Sequence, residues 1–117
     1  MSKSITIYHN PRCSKSRATL GLLQEHGKQA EVVEYLKAPP SAKELEDILG
    51  MLGLEPRDLI RNREAEYREA GLDDMSLSRD QLIEAMVKHP KLIERPIVIS
   101  NGRAAIGRPP EKVLEIL

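Results

Sequence analysis

The chain has one cysteine, Cys13, and its surroundings favour a reactive thiol. Cys13 follows a predicted strand and a short loop and directly precedes a predicted helix. The first N–H groups of a helix lack partners within it, and the helix dipole adds partial positive charge there. Such a position favours the thiolate, which is the nucleophilic form of cysteine. Because Arg12, Lys15 and Arg17 flank Cys13, we expect a reactive thiol rather than a buried, inert one.

Two common kinds of cysteine site need a residue that this sequence lacks. A dithiol oxidoreductase carries Cys-x-x-Cys, and the second cysteine position is Ser16 here. A phosphatase-type loop has an arginine where this chain has Thr19. A single cysteine cannot form an internal disulfide, and the histidines are too scattered to indicate a metal site. We therefore predict one nucleophilic thiol with no metal and no bound cofactor.

A second group of candidate residues lies in a predicted β-hairpin near the end of the chain. Asn101-Gly102 is typical of a two-residue type I′ turn, which pairs Ser100 with Arg103. The same register, continued along both strands, places Arg95 opposite Arg108. Opposed like charges destabilise a sheet unless an anion lies between them, and guanidinium groups match oxyanions. The pattern predicts either an anion clamp or two splayed, solvated arginines at a frayed strand end.

Two further residues are ambiguous from their pattern alone. Arg61 lies where basic and acidic residues alternate densely, which is most often a solvated helix face with weak ion pairs. His9 ends the first predicted strand, and it either tunes the thiol or hydrogen-bonds the loop.

The order of predicted elements is that of a thioredoxin-like α/β fold. Strands are predicted at 5–8, 31–35, 97–100 and 103–106, and helices at about 14–25, from Ser41 to Gly53, at 56–69, from Ser78 to His89, and after Pro109-Pro110. The opening strand–helix–strand unit favours parallel pairing. We predict a mixed four-stranded sheet in a single domain, residues 1–117, with a helical insertion at about 41–93 after the second strand.

The apolar residues of the first and last helices predict which faces turn inward. In the first helix, Leu20 and Leu23 share a face, with Ala18 and Leu22 near it. In the last helix, the predicted inward residues are Val113, Leu114 and Leu117.

Composition limits the class of protein. The 117 residues suit one domain, and 18 basic residues balance 18 acidic ones, which argues against nucleic-acid binding through bulk charge. No segment has the length and apolarity of a membrane span, and the first residues do not resemble a signal peptide. A lone cysteine suits a reducing compartment, so we predict a cytoplasmic protein that binds neither nucleic acid nor membrane.

The run from Tyr8 to Arg17, Tyr-His-Asn-Pro-Arg-Cys-Ser-Lys-Ser-Arg, resembles the glutaredoxin-dependent arsenate reductase family, ArsC/Spx-like. The resemblance continues through 59–61, 94–98 and 107–109, and it is closest to the short YfgD branch. It implies a thioredoxin-like (glutaredoxin-like) fold in which the cysteine thiolate attacks arsenate. Glutathione, as co-substrate, then attacks the arsenic centre, arsenite leaves, and glutaredoxin clears the mixed disulfide on the cysteine.

The same resemblance implies a role for each candidate residue. Cys13 is the nucleophile, and Arg61, Arg95 and Arg108 match the three oxyanion-binding arginines of the family. His9 supports thiolate formation, and Pro96 matches a proline that is expected to be cis beside the active site.

Two other functions remain open at this point. One is a Spx-like regulator that binds RNA polymerase without enzymatic activity, although a redox-switch version needs the Cys-x-x-Cys that Ser16 interrupts. The other is a monothiol oxidoreductase that acts on glutathionylated proteins or on another oxyanion.

Overall fold

A four-stranded mixed sheet is built from the two ends of the chain. The computed structural model describes residues 5–117. The strands are β1 (Ile5–Tyr8), β2 (Glu31–Val33), β3 (Ile97–Ser100) and β4 (Arg103–Ile106), in the order β2-β1-β3-β4. β1 pairs with β2 in parallel and with β3 antiparallel, and β3 pairs antiparallel with β4. The predicted parallel unit and the predicted hairpin are both confirmed, although β2 ends two residues before the predicted Tyr35.

Helix α1 (Ser14–Glu25) covers one face of this sheet. Its Leu23 is fully buried with Ile7 and Val98, which come from the two central strands. Its buried face also carries Ser16 and Thr19, whereas Ala18 is exposed. The prediction of the inner face of α1 is therefore partly wrong, because it considers apolar residues alone. Buried hydroxyls are stable there when they are hydrogen-bonded, and that of Thr19 donates to the Lys15 carbonyl at 2.8 Å.

The last helix is a 3₁₀ helix, Pro110–Ile116, and its inward residues differ from the prediction. Val113 and Ile116 are buried, while Leu114 and Leu117 are only half-buried. A 3₁₀ helix has three residues per turn, so residues three apart share a face. Ile116 therefore takes the inward position that an α-helical period assigns to Leu117.

The chain divides into two compact units, and the sheet with α1 and the 3₁₀ helix belongs to the first, residues 5–38 and 95–117. The second unit, residues 39–94, contains only helices and short connections: α2 (Ala42–Leu52), α3 (Pro56–Leu59), α4 (Ala65–Glu69), α5 (Arg79–Lys88) and the 3₁₀ turn Pro90–Leu92. The insertion predicted at about 41–93 lies within this unit. That the whole chain folds as a single domain stays a prediction.

Two of these helices begin as the sequence predicts. Ser41 caps α2 and Ser78 caps α5, each with a complete capping box. Gly53 ends α2 in the left-handed conformation, at φ 69°, which favours glycine. None of the helices between residues 5 and 117 is long and apolar enough to cross a membrane.

The single helical region predicted at 56–69 is wrong, because it is interrupted between α3 and α4. Ile60 is extended there and forms an antiparallel bridge with Ile93. The Arg61 N–H donates to the Leu92 carbonyl at 2.7 Å, and the Glu94 N–H donates to the Leu59 carbonyl at 2.8 Å. This pairing between distant segments satisfies backbone groups that a continuous helix would satisfy locally.

Candidate active site

Cys13 is the N-cap residue of α1, as its place in the sequence predicts. Its backbone is extended, with φ −93° and ψ 123°, and no side chain caps the helix. Its N–H donates to the Asn10 carbonyl and its carbonyl accepts from the Arg17 N–H, both at 3.0 Å. The sulfur therefore lies at the N-terminal end of a 12-residue helix, where the first N–H groups and the helix dipole favour negative charge.

The expectation that charged neighbours keep Cys13 from being buried is wrong, since the residue is only 9% exposed. The loop before it turns back on itself. The Asn10 side-chain oxygen accepts the Arg12 N–H, and the Arg17 guanidinium donates to the Pro11 carbonyl, both at 3.0 Å. The charged side chains at 12, 15 and 17 are exposed, so they point outward while the thiol between them points inward.

His9 lies in the interior beside α1 and contacts Ser16. Its Nδ1 is 2.6 Å from the Ser16 hydroxyl oxygen, which also accepts the Asn10 N–H at 3.0 Å. Burial lowers the pKa of His9 below its ordinary value; the nearby Glu34 carboxylate opposes this shift and Arg17 adds to it. The side-chain contact that the structure gives His9 is therefore with helix α1, and a role in thiolate formation stays a prediction.

Sequence reasoning missed the role of Ser16, because it treated this residue only as an absent second cysteine. A signal was available. Ser16, Thr19 and Leu23 are spaced i, i+3 and i+7, which places two small polar residues on one helical face. Both hydroxyls are fully buried.

The hairpin has the predicted register, with Ser100 opposite Arg103 and Ile97 opposite Ile106. Asn101 and Gly102 have φ values of 52° and 78°, and positive φ at both central residues characterises a type I′ turn. Beyond the last strand pair, the Gly107 N–H donates to the Pro96 carbonyl at 2.9 Å, so the two segments remain paired.

This pairing brings Arg108 to the cysteine. Its Nε donates to the Arg95 carbonyl at 2.8 Å, and its Nη2 lies 3.7 Å from the Cys13 sulfur. Both arginines are half-buried, so the picture of two splayed, solvated side chains does not hold. Each precedes a cis peptide bond, to Pro96 as the family resemblance implies, and also to Pro109.

Gly107, directly before Arg108, passes close to α1. A Cβ atom added there would overlap the Thr19 hydroxyl and lie 2.9 Å from Cγ of Pro96. Thr19 and Pro96 are themselves buried, so neither can move aside freely. The absence of a side chain at Gly107 is what permits this approach of the hairpin end to the helix.

We expect Gly107→Ala to lower the free energy of unfolding by about 1–3 kcal/mol, because the added methyl overpacks a buried contact. Urea unfolding measures the change. Gly21→Ala is the matched control, since nothing lies within 4 Å of a Cβ at Gly21 in the middle of α1. That variant is expected to gain about 0.5–1 kcal/mol from helix propensity. Equal stability of Gly107→Ala and the wild type would contradict the close approach.

Arg61 belongs to the second unit, apart in the chain from the residues above. It lies in the extended connection between α3 and α4, not on a solvated helix face as its pattern favours. Its Nη1 is 2.8 Å from a Glu64 carboxylate oxygen and its Nε is 3.7 Å from one of Glu94. The side chain is 22% exposed, so these carboxylates hold a half-buried cation.

The first unit thus brings Cys13, Arg108, the Arg95 carbonyl and the Arg95–Pro96 bond into one continuous set of contacts. No group of three or more histidine, cysteine, aspartate or glutamate residues within residues 5–117 could hold a metal ion. The arrangement provides a thiol, a guanidinium group and helix-terminal N–H groups at one point, which suits attack of sulfur on an oxyanion.

Comparison with known proteins relates the chain to one family. The profile of the ArsC family matches residues 8–116. YfgD of Escherichia coli (strain K12) is 58% identical over 100% of this chain and 99% of its own. An arsenate reductase of Neisseria meningitidis serogroup B is 53% identical over 97% of each chain. The solved arsenate reductase from Vibrio cholerae superimposes with a TM-score of 0.96, at 53% identity and full coverage of both chains. This superposition confirms the predicted thioredoxin-like α/β fold.

Proposed function

Because the chain belongs to the ArsC family, we propose that it is an arsenate reductase with Cys13 as its nucleophile. The observation that carries the proposal is the 3.7 Å separation between the Arg108 guanidinium and the Cys13 sulfur. A cation at this distance from a sulfur at a helix N-terminus stabilises the thiolate and attracts an oxyanion to it.

Arg108 is the oxyanion ligand with the clearest geometric support. Its Nε–H bond to the Arg95 carbonyl, at 2.8 Å, orients the guanidinium so that Nη2 faces the sulfur. Charge that develops on the arsenate oxygens during attack is stabilised by a donor that is already oriented. Arg95 and Arg61 are proposed as the other two ligands on the family resemblance, with Arg61 held in place by Glu64 and Glu94.

Electron balance requires a second thiol from outside the chain. The Cys13 thiolate forms a sulfur–arsenic bond, and one arsenate oxygen leaves as water after protonation. Reduction of arsenic(V) to arsenic(III) takes two electrons, which two thiols supply when they form one disulfide. The chain contains a single cysteine. We propose that glutathione is the second thiol: its sulfur bonds to arsenic as a second oxygen leaves as water. The two sulfurs then join in a Cys13–glutathione disulfide as both sulfur–arsenic bonds break, and one electron pair stays on the departing arsenite.

Glutaredoxin is the proposed partner that reduces this mixed disulfide and returns Cys13 to the thiol. The cytoplasm is the proposed location, because its reducing thiol pool supplies both partners. His9 and Pro96 are proposed as supporting residues, the first through its contact with the Ser16 hydroxyl of α1 and the second through its carbonyl contact with Gly107.

An arsenite-formation assay with varied thiols tests this function and its coupling separately. With glutathione and glutaredoxin, we expect many arsenite molecules per chain. With no added thiol, we expect no turnover, because Cys13 supplies only one of the two electrons that the reduction of arsenate requires. Turnover with dithiothreitol but not with glutathione would reject the coupling while leaving the reductase assignment intact.

No arsenite with any thiol would reject the reductase assignment. In that case, formation of a Cys13–glutathione disulfide that arsenate does not impede would favour a monothiol oxidoreductase. Tight binding to RNA polymerase would favour the regulator instead.

A further inference from the structure

Ser16 joins the loop that carries Cys13 to the helix that follows it. It is the third residue of α1 and is fully buried. Its hydroxyl oxygen accepts the Asn10 N–H at 3.0 Å and lies 2.6 Å from His9 Nδ1. The Ser16 side chain therefore contacts His9 and Asn10 at the start of the loop, and Cys13 lies at the end of the same loop.

The direction of the hydroxyl proton follows from its partners. The oxygen accepts from Asn10, and within residues 5–117 the contact with His9 is the other polar contact that the hydroxyl makes. Because Ser16 is fully buried, its one hydroxyl proton is satisfied only when it is donated to His9 Nδ1. Nδ1 must then be unprotonated, and the neutral imidazole carries its proton on Nε2.

The net direction of the His9 pKa shift agrees with a neutral ring. Burial lowers the pKa of His9, Arg17 adds to this shift, and Glu34 opposes it. A neutral imidazole can accept from the Ser16 hydroxyl, whereas an imidazolium cannot.

Two other side-chain bonds within this loop are at exposed atoms. These are the Arg12 N–H bond to the Asn10 side chain and the Arg17 bond to the Pro11 carbonyl. Water competes for exposed bonds, but it cannot easily replace a buried one. Compared with these two bonds, the contacts of the Ser16 hydroxyl are therefore the ones that water replaces less easily.

We propose that Ser16 is a positioning residue: its hydroxyl holds His9 with the imidazole proton on Nε2, ties residues 9–13 to α1, and so keeps the Cys13 sulfur beside Arg108. This inference deepens the proposed function and rests on it through the role of Cys13. Within residues 5–117, the hydrogen-bond partners of the Ser16 hydroxyl are His9 and Asn10, not the Cys13 sulfur.

Nitrogen-15 NMR of the His9 ring tests the first part without arsenate. We expect an unprotonated Nδ1 and a protonated Nε2 in the wild type at neutral pH, and a mixture of tautomers in Ser16→Ala. Ser16→Thr retains a hydroxyl and is expected to keep the wild-type pattern. Ser14→Ala is the matched control, because Ser14 is exposed on the same helical turn. A proton on Nδ1 in the wild type would overturn the proposal by itself, even if Ser16→Ala did not fold.

Steady-state kinetics, normalised to the folded fraction, test the second part. We expect Ser16→Ala to lower kcat about 10- to 100-fold, because misplacing a reacting group by about 1 Å has effects of this size. KM for arsenate is expected to stay within about twofold, since Arg108 is oriented by the Arg95 carbonyl and not by Ser16. Ser16→Thr should recover most of the activity and Ser14→Ala should lose none.

A kcat of Ser16→Ala equal to that of the wild type would overturn the positioning role. A loss of kcat in Ser16→Thr as large as that in Ser16→Ala would overturn it as well. Absence of arsenite formation by the wild-type protein would reject the proposed function. The NMR spectrum of His9 would still test separately whether Ser16 sets the tautomer of the imidazole.

Discussion

Cys13→Ser is expected to abolish arsenite formation while leaving the protein folded. The serine hydroxyl is not ionised near neutral pH and is a weak nucleophile without a base beside it, so the sulfur–arsenic bond has no replacement. No second thiol is present in the chain to take over. By comparison with nucleophile removal in other enzymes, the loss in kcat is expected to be at least about 10³-fold.

Stability and activity must be measured on the same preparation. Serine is close in size to cysteine, and Cys13 is a helix N-cap, a position where serine is favoured. The free energy of unfolding, from urea titration, is therefore expected to change by no more than about 1 kcal/mol. Arsenite is then quantified with glutathione and glutaredoxin present. Activity in Cys13→Ser comparable to that of the wild type would refute the assignment of Cys13 as nucleophile.

Arg108→Ala is expected to lower kcat/KM for arsenate by about 10²–10³-fold, which is the usual effect of removing one oriented donor to a developing oxyanion. The substitution removes the guanidinium that lies 3.7 Å from the sulfur. Arg108→Lys restores the charge but not the planar fork, and it loses the Nε–H bond to the Arg95 carbonyl. We therefore expect the lysine variant to recover only part of the activity.

Arg103→Ala is the matched control for this experiment. Arg103 is an exposed arginine of the same hairpin, and its guanidinium donates to the Glu115 carbonyl at 2.6 Å. Its replacement is expected to leave kcat/KM within about twofold, since surface changes usually have small effects. Equal losses in the Arg103 and Arg108 variants would show that the hairpin, rather than the guanidinium beside Cys13, is what the reaction needs. Full recovery by lysine would show that charge alone suffices.

Features that depend on neighbouring residues could be predicted from the sequence. The hairpin is the clearest case, because the positive φ values of Asn101-Gly102 determine which residues pair in both strands. The capping boxes at Ser41 and Ser78 are local in the same sense. The approach of Arg95 and Arg108 followed from that register, although the bond from Arg108 Nε to the Arg95 carbonyl did not.

Features that depend on distant segments could not be predicted. The break between α3 and α4 arises from the pairing of Ile60 with Ile93, which are 33 positions apart in the sequence. The contact of Ser16 with His9 likewise needs β1 and α1 to pack together, although the helical spacing of Ser16, Thr19 and Leu23 was a signal that Ser16 is buried. At Arg61, the alternation of charges favoured a solvated helix face, and hydrogen bonds between distant segments outweighed that local pattern.

The sequence alone determined that Cys13 is a lone thiol at the start of a helix, because the signals for the strand, the loop and the helix around it are local. Only the tertiary structure decided what surrounds the sulfur. The loop folds back through Ser16, Gly107 lets the hairpin end approach α1, and Arg108 comes to 3.7 Å from Cys13 across 95 positions of chain. The physical reason is that contacts of such separation form only when the sheet and its covering helix bury their shared core.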